Sequence, residues 1–361
     1  MSGKDIIMMN LYDLLELAVG KKASDIFIGA GRHLSLKING VITRFGDEPV
    51  SVDEAQEMVI ELYKLARRPI KKFRQRGDDD FPVTLAGMAR FRVSAYNQRG
   101  SYAAVIRVVL FEIPDYKELL IPEEVMKIAN EKHGIVLVTG PAGSGKTTTL
   151  ACMIDAINKS RNCHIITLED PIEYLHRDKM SLISQREIST DTESYLAALR
   201  ACLRQAPDIV LLGEMRDHET IKTAITAAET GHLILSTLHT VGAVNTIDRI
   251  IDVFPPQQQQ QVRVQLAALL RTVVSQQLLI NKNGGITPAF EIMHVNSAVR
   301  NLIRESKTHQ INNVIQTAPG MISMDSSIMH LVQNGEISIE TAIAGASDPE
   351  QTTRFLKRSE L

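Results

Sequence analysis

The chain has 361 residues, 44% of them apolar and 23% charged, enough for two or three domains with sizeable cores. Forty basic against forty-two acidic side chains leave a formal charge of -2, which excludes a global basic field for nucleic acid or an anionic membrane. The three cysteines, Cys152, Cys163 and Cys202, are far apart and never in Cys-x-x-Cys spacing, so a disulfide framework and a zinc knuckle are both disfavoured and a reducing cytoplasm fits.

The opening MSGKDIIMMNLYDLLELAVGKK has only a short apolar run before Asp13 and Glu16 interrupt it, unlike a signal peptide. No span of about 18 apolar residues follows anywhere, so any membrane contact is expected to be peripheral. Residues 11–18 carry Leu11, Leu14, Leu15 and Ala18 at helical spacing, and residues 25–28 and 34–38 alternate as strands do. Asn39-Gly40, between LSLKI and VITRF, is a two-residue hairpin signal. A helix over 52–65 precedes the basic stretch 67–76, whose single aromatic suits a solvated helix face better than a strip that tracks a nucleic-acid strand. Three further strands, over 81–85, 88–96 and 102–109, complete a small α+β domain with a mostly antiparallel sheet in residues 1–110.

Between 111 and 121 the pattern loses its period and gains prolines, which marks a linker. Continuous apolar strands then alternate with helical stretches: Gly134-IVLV, Cys163-HIITL, Asp208-IVLL and Leu233-ILST. That rhythm is the signature of a parallel sheet buried on both faces, an α/β core over 122–295. From Ala243 onward the chain reads as largely helical, interrupted only by a short strand region at 286–293, and residues 296–361 read as a helical C-terminal region. The glutamines 257–261, after Pro255-Pro256, open a solvated helix.

Gly140, Pro141, Ala142, Gly143, Ser144, Gly145, Lys146 and Thr147 match the eight-residue P-loop pattern, between an apolar strand and the helix-forming TTTLACMIDAI that begins at Thr147 and Thr148. The glycines let backbone N–H groups converge on phosphate oxygens, and the helix N-terminus adds its positive end. Lys146 is expected to reach the outer phosphates and Thr147 to offer its hydroxyl to Mg²⁺, which makes ATP and Mg²⁺ the expected ligands.

A second element, Asp208-IVLLG-Glu214, should deliver an acid to the carboxyl end of the sheet, to order Mg²⁺ or its water. Asp208 opens the strand, about 15 Å from its carboxyl end, so Glu214 is the better placed. Asp217 reads as the cap of the helix that runs to Thr230. A third strand, taken as a neighbour of the P-loop strand, ends in TLEDPIE, whose Glu169, Asp170 and Glu173 are candidates for the base that activates water. A fourth, Gly231-HLILSTL-His239, brings Ser236, Thr237 and His239 toward the same end to sense the γ-phosphate, with His232 at the opposite end.

The P-loop, LEDPIEY, LLGEMRD and TGHLILSTLHT, in that order and spacing, resemble the Walker A, Asp box, Walker B and His box of the secretion ATPase superfamily. SDIFIGAG, RFRVSAYNQRG, IDVFPPQQQQQVRVQLA and AVRNLIRE are similar to the twitching-motility (PilT-type) retraction ATPases of type IV pili. The resemblance implies a PAS-like N-terminal domain and a RecA-like core. It also implies a homohexameric ring at the cytoplasmic face of the inner membrane, where it would meet a pilus platform protein. It implies Glu173 as catalytic base, Glu214 as Walker B acid, His239 as nucleotide sensor, and Arg90 and Arg107 as arginines directed at a neighbouring subunit's phosphates; His232 is a further candidate nucleotide contact, and which of the two histidines senses the phosphate stays open. Ala206 stands in LRQAPD where many members have an acid, a form shared with the accessory (PilU-type) retraction ATPases, which remain an alternative. Pilus-assembly and type II secretion ATPases carry a long N-terminal extension and a four-cysteine zinc module that this sequence lacks.

Overall fold

Alternation of buried and exposed residues is clearest in two hairpin partners of the first sheet, residues 78–85 and 89–98. The computed structural model describes residues 10–38, 40–46, 48–85, 87–109, 113–350 and 352–354; residues 1–9, Asn39, and Phe111 and Glu112 of the expected linker lie outside these. The chain divides into one unit of residues 1–112 with 173–175 and a second of residues 113–172 with 176–361. In the first, β1 (Asp25–Gly29), β2 (Leu34–Ile38), β3 (Val41–Phe45), β4 (Asp78–Leu85), β5 (Ala89–Gln98) and β6 (Ser101–Val109) form an antiparallel sheet in the order β3-β2-β1-β6-β5-β4.

Along β5, Phe91, Val93 and Ala95 point inward while Arg92 and Ser94 face solvent. The inward side chains share a core with Leu11, Leu14 and Leu15 of the helix Leu11–Gly20 and Leu62 and Tyr63 of the helix Val52–Leu65. Ile38 pairs with Val41 across the expected hairpin, with Gly40 at φ 81°, where a side chain would be strained. The basic stretch contains the helix Lys71–Arg76, which buries Phe73 and exposes its lysines and arginines, a solvated face as expected.

In the second unit, β7 (Gly134–Thr139), β8 (His164–Glu169), β9 (Leu182–Glu187), β10 (Ile209–Leu212), β11 (Leu233–Leu238), β12 (Leu270–Ile280) and β13 (Ile286–His294) form a sheet in the order β13-β12-β7-β11-β10-β8-β9. All neighbours are parallel except the β12–β13 hairpin. Residues of β7, β10 and β11 are buried along their whole length because helices cover both faces. Ile135 and Leu137 face a core made with the helices Tyr195–Cys202, His218–Glu229, Ala243–Asp252, Pro256–Leu269 and Ser297–Arg304. Val136 and Val138 face the opposite core, made with the helix Lys146–Ser160.

Two expectations are corrected here. The region after Ala243 is not helical up to residue 286: β12 spans eleven residues and, with β13, extends the parallel sheet on the far side of β7. β8 is not a neighbour of the P-loop strand, since β11 and β10 stand between them. The C-terminal helices Met324–Gln333 and Ile339–Gly345 bury Met324, Ile328, Leu331 and Ala342 against Leu279 and Ala289 of the hairpin.

Candidate active site

The phosphate loop leaves the carboxyl end of β7 and closes on itself. Lys146 is 8% exposed, and its ammonium donates to the carbonyls of Gly140 at 2.9 Å and Pro141 at 2.8 Å. Burial holds its pKa below that of a free lysine, and the nearby Glu214 opposes the shift. Gly145, at φ 86°, precedes the fifteen-residue helix Lys146–Ser160, whose first turn carries Thr147 and Thr148. Ser144 Oγ is buried with no hydrogen-bond partner among the described residues, a donor that a phosphate oxygen would satisfy. Gly143, like Gly145, has positive φ, so the loop adopts the turn that aims successive N–H groups into one concavity.

Glu214 follows β10, and His239 follows β11. Glu214 Oε2 lies 2.7 Å from Arg216 Nε and 3.6 Å from His239 Nε2. Thr237 Oγ1 donates to the carbonyl of Gly213, and Met215 N donates to Thr237 O at 3.3 Å, which ties the two strand ends together. Ser236 Oγ is buried and unpartnered among the described residues. Tyr195 packs where a side chain on Gly213 would be, 2.7 Å from its hydroxyl. Burial, then the charges of Glu214, Asp170 and Glu169, push the Tyr195 phenol well above its ordinary value, so these three acids share one electrostatic neighbourhood. Asp208 opens β10 and accepts His164 N at 2.8 Å, and Asp217 caps the helix His218–Glu229, both as expected.

At the end of β8, Glu169 is buried and accepts from Thr167 Oγ1 at 2.6 Å and Gln185 Nε2 at 3.1 Å, which makes it a structural carboxylate. Asp170 and Glu173 are exposed. Ile172 N donates to Glu187 Oε2 at 3.2 Å and His176 N to Gln185 Oε1 at 2.8 Å, so the residues flanking Glu173–Leu175 are both held by β9. Just beyond, Asn158 of the phosphate-loop helix binds Arg177 O, Lys179 N and Ser181 N, and Asp155 pairs with Lys159 and Lys179.

One expected residue of the second unit, His232, lies apart from this cluster, and two others, Arg107 and Arg90, belong to the first unit. His232 precedes β11 at its amino end, with Nδ1 2.9 Å from Ala227 O and 3.1 Å from Thr230 Oγ1, where it finishes the helix His218–Glu229. β11 runs beside β7 from Leu233↔Gly134 to Leu238↔Thr139, so His232 is roughly 17–20 Å along the strands from the loop of its own chain. Arg107, on β6 of the first unit, is directly opposite Asp25 on one side and Arg92 on the other; its Nε is 3.2 Å from Asp25 Oδ1. Arg92 and Arg107 are cross-strand neighbours of like charge, and Asp25 supplies Arg107 with an opposite charge. Arg90 lies on the same strand as Arg92, opposite Thr84 and Val109.

A family profile described as Type II/IV secretion system protein matches residues 1–344. The chain belongs to that family. Among curated members of the type II/IV secretion family it is 42% identical over 344 residues to "Type IV pilus retractation ATPase PilT" of Pseudomonas aeruginosa, covering 95% of this chain and 99% of that one. It is 46% identical over 318 residues to "Twitching motility protein" of Neisseria gonorrhoeae, covering 87% and 84%. Of solved structures, the crystal structure of the pilus retraction motor PilT with bound ADP superposes with a TM-score of 0.88 at 41% identity, over 96% of this chain and all of that one.

Besides Gln185 and Glu187 of β9, one residue beside the phosphate loop of this type II/IV secretion protein escaped sequence reasoning. Gln276 of β12 is 4% exposed and accepts Thr149 Oγ1 at 2.7 Å from the first turns of the phosphate-loop helix. No motif marks it; only the pairing of β12 with β7 brings it to the loop. In the helix Ser297–Arg304, Val299 and Ile303 are fully buried, Arg300 Nε donates to Ala267 O at 3.1 Å and Arg304 is exposed. Its two arginines are therefore not equivalent.

Proposed function

We propose that this chain is a homohexameric motor ATPase that couples ATP hydrolysis to type IV pilus retraction. The observation that carries the reading is the end-to-end likeness to retraction ATPases joined to a closed phosphate loop with Glu214 and His239 at the neighbouring strand ends. In this reading residues 1–110 are the PAS-like domain, 122–295 the RecA-like core and 296–361 the helical C-terminal region. ATP occupies the loop, and Lys146 exchanges its two carbonyl contacts for phosphate oxygens.

Among the described residues no group of three or more His, Cys, Asp or Glu could by itself hold a metal. Thr147 and Glu214 offer hard oxygen ligands of the kind Mg²⁺ takes together with substrate phosphates. When bound there Mg²⁺ supplies charge neutralisation to the β- and γ-phosphates. Glu173 takes a proton from water as the water oxygen bonds to the γ-phosphorus, while the bond to the bridging oxygen breaks and ADP leaves with inorganic phosphate as the other product. Arg90 and Arg107 stabilise the transferring group of a neighbouring subunit, and His239 reports the phosphate state to Glu214. His232 has no role at the phosphates of its own chain.

No described helix is long and apolar enough to cross a membrane, and the reading places the ring peripherally at the cytoplasmic face, against a platform protein. Phosphate release tests the chemistry: Glu173→Gln is expected to bind ATP yet lose nearly all turnover, and activity above about a tenth of wild type would move the base to Asp170. A deletion strain tests the biology: pili that retract normally without this chain would favour the accessory reading that Ala206 keeps open.

A further inference from the structure

We propose that Gln276 is a positioning residue of the phosphate loop, which its side chain backs at the Gly145 end. The proposal rests on the reading that this loop binds nucleotide. β12 lies against β7 on the side away from β11, with Ser275 level with Thr139, so Gln276 stands beside the point where the loop begins. Three of its polar atoms meet the loop. Its carbonyl oxygen is 2.1 Å from where a side chain on Gly140 would start, so the chain there can only be glycine. Its Oε1 accepts the Thr149 hydroxyl at 2.7 Å. Its Nε2 lies 2.9 Å from where a side chain on Gly145 would start. The buried side chain thus meets the last glycine of the motif and the opening of the helix that follows, while the backbone carbonyl of the same residue crowds the first glycine.

The chemistry of the contact gives it a direction. Thr149 donates to the amide oxygen, and the Nε2 group on the other side of the amide is turned toward Gly145, the end of the loop next to Lys146. A donor there adds to the field that an anion meets at the helix N-terminus, whereas a carboxylate there would oppose it. The strand that carries Gln276 is itself braced, because Gln277 Nε2 donates to Gly345 O at 2.8 Å from the C-terminal helix Ile339–Gly345. Nucleotide affinity therefore depends on a residue that need not touch the nucleotide.

Four variants, Thr149→Val alone among them, and one control decide it, each measured by titration with fluorescent ADP and by thermal melting without nucleotide. Gln276→Met keeps the length and removes the amide; it is expected to weaken ADP binding about tenfold with an unchanged melting temperature. Gln276→Glu keeps the acceptor for Thr149 but puts an anion beside Gly145, and is expected to bind about a hundredfold more weakly, with the loss shrinking as salt is added. Thr149→Val combined with Gln276→Met should lose little more than either alone, since the two side chains act as one contact. Wild-type affinity in Gln276→Met, affinity losses that only follow the melting temperature, or Gln276→Glu binding better than Gln276→Met would each overturn the assignment. Lys146→Ala separates the two levels of the argument: if it too binds ADP normally, the loop is not the nucleotide site, and if it alone loses binding, only the role of Gln276 fails.

Discussion

Gln185 and Glu187 stand two residues apart on β9, on one face of the strand, and hold the backbone on either side of Glu173. Gln185 Oε1 accepts His176 N at 2.8 Å, Glu187 Oε2 accepts Ile172 N at 3.2 Å, and Gln185 also donates to Glu169. If Glu173 is the base, displacing it costs rate because the geometry of in-line attack is narrow. Gln185→Ala is therefore expected to lower kcat about tenfold while leaving the KM for ATP within about twofold. Steady-state phosphate release checks this; a rise in KM with kcat intact would place Gln185 in nucleotide binding instead.

Acid should loosen the same segment. Burial pushes the His176 imidazole down to about 4, with Lys179 adding to the shift and Asp155 opposing it. The unfolded chain then binds more protons than the folded one between pH about 6.5 and about 4, so stability falls as pH drops through that window and levels off below it. Thermal melts at pH 7 and pH 5 are expected to differ by about 2 kcal/mol more in wild type than in His176→Gln. An equal loss in both proteins would remove His176 as the titrating group.

The two arginines of the helix Ser297–Arg304 should separate folding from motility. Arg300 is half-buried and donates to Ala267 O, so Arg300→Glu is expected to cost about 1–3 kcal/mol and to lower the melting temperature. Arg304 is exposed, and Arg304→Glu should keep both stability and ATPase activity while impairing pilus retraction if that face meets a partner. Normal twitching by an Arg304→Glu strain would leave the helix with a packing role only.

Arg107 is the sharper test of cooperation between subunits. Its side chain is 67% exposed despite the Asp25 contact, and its cross-strand neighbour on the other side is a second arginine, Arg92. Rings mixed from Arg107→Ala and Glu173→Gln chains should recover part of the phosphate release that each lacks alone, because some interfaces pair an intact Arg107 with an intact Glu173. Arginines acting in this way are worth about 10³–10⁵ in rate, so partial recovery stands far above background. Co-assembled rings that stay inactive would confine Arg107 to its own chain.

What the sequence made legible follows from how each element announces itself. β7, β8, β10 and β11 are short apolar runs bounded by polar or turn residues, and the P-loop carries its own spacing, so the core strands and the phosphate site could be read directly. β12 could not, because the helix Pro256–Leu269 passes into it at Leu270 with no glycine or proline between, and an apolar run without punctuation fits helix and strand alike. β9 is a polar edge strand whose only fully buried member is Glu187, so it gives no apolar alternation. Gln276, Gln185 and Glu187 were missed for that reason: each reaches the site through a strand whose existence depends on its partner. Strand order was equally hidden, since neighbours in a doubly covered parallel sheet are chosen by crossover helices rather than by local pattern.

The bond between Thr149 and Gln276 spans 127 residues, and this separation sets a timetable for the chain as it is made. At about 5–20 residues per second, roughly 6–25 s of synthesis separate the emergence of the phosphate loop from that of the strand behind it. Throughout that interval β7, apolar along its whole length, has β11 on one side at most and an open edge on the other. Such an edge is a template for pairing with another chain. The motor's nucleotide pocket is thus one of the last parts of its core to be completed on the ribosome, and a product ended before β12 would carry the entire P-loop motif together with an adhesive edge.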